Sequence, residues 1–188
     1  MSAHKLHADD TPGRVLAPGT GKGRMGRLWA YVRDDRPAGR TDPPAVWFRY
    51  SPDRKGERPR DHLQSFRGVL QADAYGGFNG LYDRVKGPLI EAACWTHVCR
   101  KFFGVHEAES SPQALEALER IRALYAVEDE IRGKLPDERL AVRQTHAAPL
   151  LKALHGWFHA TLRAEKSEKS PLAGAIACRA LRSDAACV

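Results

Sequence analysis

Hydrophobic and polar positions alternate along several stretches of the first half of the chain, and this period of two predicts β-strands. In residues 27–34 the two faces differ in character, with Leu28, Ala30 and Val32 on one and Trp29 and Tyr31 on the other. Residues 45–50 form a second such stretch, rich in aromatic and branched side chains. A shorter strand is predicted near the amino terminus, ending in the carboxylates of Asp9 and Asp10 and stopped by Pro12.

Helical and extended signals then follow one another up to residue 105. Residues 59–67 predict a short helix that directs Leu63 and Phe66 inward and ends at Gly68. Residues 69–72 predict a buried strand that delivers one carboxylate, Asp73, to its carboxyl end before a Gly-Gly pair. The same reasoning predicts a helix over 77–85, a strand over 89–95 and a basic helix over 96–105.

From Ser111 onward the pattern is helical, with no further strand signal. Ser111 is a natural N-cap with Pro112 at the first helical position. The helix ends before Pro136, and its expected apolar stripe is Leu115, Leu118, Ile121, Leu124, Val127, Ile131 and Leu135. A second helix over 137–145 is expected to break or kink at Pro149 and to continue over 150–163, with Leu151, Leu154, Phe158 and Leu162 inward. These elements predict an antiparallel helical hairpin.

The order of elements predicts how the strands pair. Three strands joined by short loops favour antiparallel neighbours, whereas the intervening helix allows the fourth strand to lie parallel to the first. Asp9 and Asp73 would then lie at the same edge of one sheet. Because Mg²⁺ prefers oxygen ligands, the two carboxylates form a candidate site for Mg²⁺ or Mn²⁺.

The charge distribution changes what this edge could bind. The chain of 188 residues carries a formal charge of +7, and residues 13–70 hold 13 Lys and Arg against 6 Asp and Glu. A basic surface beside an acidic metal site suits a polyanion. The alternative is a solvated basic surface with no partner.

Two basic segments are candidate contacts to nucleic acid. The glycine-rich segment 18–26 lacks the order of a phosphate-binding P-loop and predicts instead a hairpin loop, with Lys22, Arg24 and Arg27 as the cations. The predicted helix over 96–105 contributes His97, Arg100 and Lys101. For that helix, a solvated basic face is an equally good interpretation.

Other classes of protein are disfavoured. The sequence has no run of eighteen apolar residues and no signal-peptide core, so we expect a cytoplasmic protein without a membrane partner. Four cysteines in a chain of this length do not suggest a disulfide framework. Cys94, His97, Cys99 and His106 could suggest zinc, but their spacing fits no standard pattern, and a buried cysteine beside a polar helix is the simpler interpretation.

Five segments in order closely resemble the insertion sequence 66 family of bacterial transposases. They are HADDTP at 7–12, GKGRMGRLWAYVRDD at 21–35, PPAVWFRYSPDRKGERP at 43–59, GVLQADAYGGFNGLY at 68–82 and EAACWTHVCRKFF at 91–103. The resemblance continues through the helical half to about residue 177. It implies a DDE-type enzyme that cuts and rejoins DNA with two Mg²⁺ ions.

The resemblance also implies an architecture and residue roles. The fold class would be α/β, a ribonuclease H-like mixed sheet with a C-terminal helical insertion or appendage. A partial catalytic core would occupy 1–107, the helical insertion 108–170, and a truncated or frameshifted tail 171–188. Asp9 would be the first acid of the family's triad and Asp73 the second.

The resemblance leaves two functions open. The third acid of the family, a glutamate, has no counterpart in the sequence, so we expect an incomplete catalytic domain. The chain would then be either a DNA transposase domain or an inactive remnant that binds DNA or competes with a full-length transposase. Expected partners are transposon-end and target DNA, with self-association or other transposase subunits as further candidates.

Overall fold

A five-stranded mixed sheet and six α-helices make up the described part of the chain in the computed structural model, which covers 4–19, 21–36, 39–73, 75–82, 89–165, 167 and 169–177. The chain divides into two compact units: residues 1–36 and 40–92 form the sheet unit, and residues 93–188 with 37–39 form the helical unit. The predicted division at residue 107 stays a prediction. None of the described helices is both long and apolar enough to cross a membrane.

The sheet has the predicted mixture of strand directions. Its strands are β1 (Lys5–Ala17), β2 (Lys22–Arg33), β3 (Ala45–Ser51), β4 (Gly68–Ala72) and β5 (Leu89–Ala93), in the spatial order β3-β2-β1-β4-β5. β1 pairs antiparallel with β2 and parallel with β4, and β2 pairs antiparallel with β3. The α/β class and the parallel fourth strand are therefore confirmed.

The first strand is much longer than predicted. β1 continues through both aspartates and Pro12 to Ala17, and β2 already begins at Lys22 rather than at Arg27. Proline does not end the strand because β4 pairs only with residues 5–8, so at Pro12 β1 lies at an open edge where no amide donor is required. The predicted basic loop over 18–26 is thus mostly strand.

The core of the sheet unit forms on one face of the sheet. Trp29 and Tyr31 are buried there with Leu70 and Phe78, whereas the opposite face leaves Leu28 and Phe48 about half exposed. Inside the core, the indole N–H of Trp29 donates to Ser51 Oγ at 2.7 Å. Two helical segments follow in this unit: α1 (Glu57–His62), which is shorter than predicted, and a 3₁₀ helix (Gly76–Leu81) within the helix predicted over 77–85. Residues 83–85 of that prediction lie outside the described residues. Leu63 and Phe66 are buried, as predicted.

The helical unit begins with α2 (Trp95–Glu109) and α3 (Pro112–Glu130). Ser111 caps α3 as predicted, accepting the Ala114 N–H at 3.2 Å. The predicted apolar stripe is partly wrong: Leu115 and Leu135 are exposed, and Ala114 and Ala117 are buried instead. These two small side chains belong to the same buried cluster as Val98 and Phe102 of α2.

The chain stays helical through Pro149, which lies in the first turn of the helix over 148–164. The chain remains helical through α4 (Pro136–Val142), a π-helical turn (Arg143–Ala147) and α5 (Ala148–Ala164). The π-helical turn ends just before Pro149 and the chain stays helical there, so the helix does not break; a kink at Pro149 stays a prediction. Leu154 and Phe158 are buried as predicted, and Phe158 stacks on Phe102 with ring centroids 5.6 Å apart. α6 (Pro171–Ala177) completes the unit, and the rest of the predicted tail lies outside the described residues.

Replacing Phe158 with Ala should destabilise the helical unit by about 4 kcal/mol, because the substitution leaves a cavity in the core. Phe103→Ala is the matched control, since Phe103 is 52% exposed on the same helix as Phe102, and should change the free energy of unfolding by less than about 0.5 kcal/mol. Urea unfolding followed by circular dichroism measures both. Equal effects of the two substitutions would contradict the described packing.

A salt bridge links α3 to the π-helical turn and gives this unit a pH dependence. Arg143 donates two hydrogen bonds of 2.6 Å to the Glu128 carboxylate, and these bonds lower the pKa of Glu128. A lowered pKa contributes stability above the ordinary pKa of Glu and loses it as the pH falls through the lowered value. Arg143→Gln should therefore cost up to about 1 kcal/mol at pH 7, and the difference from wild type should vanish in acid. A difference that persists after Glu128 is protonated would contradict this assignment.

Candidate active site at the end of β4

The parallel pairing of β1 with β4 brings the two predicted acids to neighbouring positions. The described ladder runs from the pair Lys5 and Val69 to the pair Ala8 and Ala72. The next position on each strand is an aspartate, Asp9 on β1 and Asp73 immediately after β4. Both acids therefore come directly after the paired segments of two neighbouring strands.

The alternation of side chains along β1 separates Asp9 from Asp10. Leu6 and Ala8 are buried on the core face, and Asp10 continues that face with a side chain only 1% exposed. Asp9 is exposed and lies on the opposite face, where its Oδ1 accepts the Asp10 N–H at 2.8 Å. The adjacent acids therefore occupy different environments.

Arg54 joins Asp10 to Asp73. Its Nη2 lies 2.7 Å from Asp10 Oδ1 and 2.9 Å from Asp73 Oδ2, and its Nε donates to Asp10 Oδ1 at 2.8 Å. The guanidinium group also lies over the Tyr75 ring, 4.0 Å from its centroid. One cation thus connects β1, the turn after β3 and the end of β4, a role that no sequence pattern had indicated.

A second arginine completes the charge balance around Asp10. Arg27, predicted as a DNA contact, donates from Nη1 to Asp10 Oδ2 at 3.0 Å. Two carboxylates, those of Asp10 and Asp73, are therefore matched by two guanidinium groups. Partial burial disfavours the charged form of Arg54, but the hydrogen bonds and charges of the two aspartates outweigh it and raise its pKa. Arg27 and Arg54 together hold the buried Asp10 carboxylate in place.

The remaining predicted DNA contacts fall in two places. Lys22 and Arg24 are exposed on β2. In the helical unit, Arg100 and Lys101 are exposed on α2, whereas His97 is only half-exposed. Among the described residues, the His97 Nδ1 is buried and makes no hydrogen bond.

The donor atoms fit a hard cation, but only in part. Asp9 and Asp73 offer carboxylate oxygens, the ligands that such an ion prefers, and Asp73 is 21% exposed. Arg54, however, bonds Asp73 together with Asp10, whereas Asp9 lies on the opposite face of β1. Asp10 is not available as a third ligand because two arginines hold it. Accordingly, no group of three or more His, Cys, Asp or Glu side chains within the described ranges is arranged to hold a metal ion. This also holds for the described Cys94, His97, Cys99 and His106 of the zinc alternative.

Arg54→Gln should destabilise the sheet unit by about 2 kcal/mol, because it removes one of the two cations on the buried Asp10 carboxylate, discounted for the partial exposure of Arg54. Arg58→Gln is the matched control: Arg58 comes from the same segment but bonds the more exposed Asp53 at 3.1 Å, so little change is expected. Thermal unfolding of both variants tests the difference. An Arg54 variant as stable as the Arg58 variant would contradict the bridging role.

Comparisons with known proteins place the chain in a family. A model of the family described as Transposase IS66 family matches residues 1–187. The chain is 39% identical to the uncharacterized protein y4hP of Sinorhizobium fredii over 84% of its own length and 31% of that protein, and 36% identical to y4qI of the same organism over 96% and 34%. It thus spans about a third of the length of these curated relatives, and no solved structure gives a significant match. The match along nearly all of its length shows that the chain belongs to the IS66 family of transposases.

Proposed function

We propose that this chain is part of the catalytic domain of a DNA transposase, built on a ribonuclease H-like sheet. The observation that carries the proposal is the parallel pairing of β1 with β4, whose ladder ends at Ala8 and Ala72, one residue before Asp9 and Asp73 in the sequence. Membership of the transposase family supports DNA as the substrate. The proposed reaction is metal-dependent cleavage and strand transfer of DNA phosphodiesters.

In this proposal Asp9 and Asp73 would hold Mg²⁺ or Mn²⁺. Such an ion stabilises the charge that develops on the attacking and leaving oxygens of a phosphodiester. The role of Asp10 and Arg54 is positioning: their ion pair fixes the start of the turn after β4 and with it the Asp73 carboxylate. Exposed cations of the same unit, Lys22 and Arg24, would attract the DNA backbone.

One observation favours the second candidate, an inactive remnant that binds DNA or competes with a full-length transposase. Arg54 already bonds Asp73 Oδ2, and the Asp73 Oδ1 accepts the Tyr75 N–H at 3.3 Å. An ion at Asp73 must therefore displace or share one of these bonds. If Arg54 keeps its bond to Asp73 in the presence of the ion, the end of β4 holds only a structural ion-pair network and no catalytic metal.

Calorimetric titration with Mn²⁺ separates the two candidates. The wild-type chain should bind the ion, and Asp73→Asn or Asp9→Asn should weaken binding at least about tenfold, because each removes a charged oxygen ligand. Asp42→Asn is the control, since Asp42 pairs with Arg40 at the surface, and it should bind as wild type does.

Nicking of supercoiled DNA completes the test. Nicking that requires Mg²⁺ and is lost in the Asp73 variant would support the transposase domain. Mn²⁺ binding that is unchanged by Asp73→Asn would contradict the proposed site, and DNA binding without metal binding or nicking would favour the inactive candidate.

A further inference from the structure

The β1–β2 hairpin extends beyond the sheet as a two-stranded arm, residues 13–26. β4 pairs with β1 only up to Ala8, and β3 pairs with β2 only from Arg27 onward. From Gly13 paired with Gly26 to Ala17 paired with Lys22, the two strands pair only with each other among the described residues. Five residue pairs correspond to an arm about 17 Å long.

The base of the arm is fixed to the sheet. The Tyr50 ring of β3 lies against Gly26, where an added Cβ would be 2.5 Å from its Cε2. Only glycine fits there without moving the ring. At the far end, Gly19 and Gly21 turn the chain with φ of 81° and 63°. The arm therefore leaves the sheet in a set direction and reverses tightly.

The arm has no core of its own and contributes nothing to the core of the sheet unit. No described residue between 9 and 28 belongs to that core. Leu16 is 86% exposed and Met25 58% exposed, and the strand alternation places them on the same face as Arg14. These apolar side chains therefore add nothing to the core of the sheet unit and are available for contact with a partner.

The charge of the arm identifies the class of partner. From Thr11 to Arg33 the sequence contains no Asp or Glu, yet it contains Arg14, Lys22, Arg24, Arg27 and Arg33. Arg27 is held by Asp10 at the base. Arg14 and Arg24, in contrast, make no ion pair with any described residue. An arm with cations on both faces and no acid suits a polyphosphate backbone rather than an apolar protein surface.

We propose that this arm inserts into the major groove of duplex DNA. The B-form major groove, about 12 Å wide, admits a two-stranded β-ribbon, as this arm is. Arg14 and Arg24 bind phosphates along the groove, and Leu16 and Met25 contact the base edges. The inference rests on the proposed function, to which it adds the element that holds the substrate and the groove in which it lies.

Duplex RNA provides the discriminating control. Its A-form major groove is deep and narrow, so a ribbon cannot enter it, although its phosphate charge is similar. The part of the binding that depends on the arm should therefore be specific to duplex DNA. Simple electrostatic attraction would act on both duplexes alike.

Fluorescence anisotropy with labelled DNA and RNA duplexes of equal length tests the proposal. The Arg14→Gln/Arg24→Gln variant of the full chain should bind duplex DNA about tenfold more weakly and lower the salt slope of log K by about two, since two phosphate contacts are lost. Its RNA binding should change little. The matched control, Arg122→Gln/Arg132→Gln, removes equal charge from exposed positions of the helical unit and should leave DNA binding unchanged.

A variant in which Asn-Gly replaces residues 14–25 should lose the preference for DNA over RNA while retaining the unfolding transition of the sheet unit. If this deletion does not fold, Leu16→Asp replaces it, with the same expected loss of preference. Unchanged DNA binding, or equal losses on DNA and RNA, would overturn the proposal. Dimers that form without DNA and depend on the arm, measured by sedimentation, would also overturn it, because the arm would then bind a second copy of the chain.

The two proposals fail in distinguishable ways. Mn²⁺ binding that requires Asp73, together with DNA binding that ignores the arm, would overturn the arm and leave the metal site standing. DNA binding that depends on the arm, together with metal binding that does not require Asp73, would overturn the metal site and leave the arm standing. The arm variants themselves should bind Mn²⁺ as wild type does, since the arm lies outside the parallel ladder that brings Asp9 to Asp73.

Discussion

The parallel pairing of β1 with β4 is the constraint on which the sheet unit depends. It joins residues 68–72 to a strand more than sixty positions earlier in the chain, and it buries Leu6 and Ala8 beside Leu70 and Ala72. Because side chains alternate on both strands, this one register decides which face each acid occupies. A slip by one residue would turn Asp10 outward and bring Asp9 to the core face in its place.

Charge compensation then separates two adjacent aspartates into two roles. Asp10 is buried and held by Arg27 and Arg54, so its contribution is structural. Asp9 is exposed, and Asp73 is partly exposed with only one oxygen on Arg54. The proposed metal site therefore lies beside an ion-pair network that positions one of its ligands and competes for the same carboxylate.

The sequence predicted the pairing of the first four strands well, including the parallel fourth strand, because the lengths of the connections limit how strands can pair. It failed at Pro12, since a proline reads as a strand end unless the strand is known to lie at an edge there. It also failed on α3, where a buried stripe through Leu115 and one through Ala114 both fit the helical period. The structure buries Ala114 and leaves Leu115 exposed. Arg54 could not be found, because its partners lie 44 and 19 positions away. The alternation of Leu6, Ala8 and Asp10, however, was readable and would have distinguished Asp10 from Asp9.

The site proposed for a divalent ion lies at the junction of β1 and β4. Its most direct test is a Mn²⁺ titration followed by backbone amide NMR, because the paramagnetic ion broadens only nearby signals. With the ion at this junction, broadening should begin at the amides of Ala8, Asp9 and Asp73. Broadening centred on Cys94, His97 and Cys99, or no local broadening at all, would contradict it.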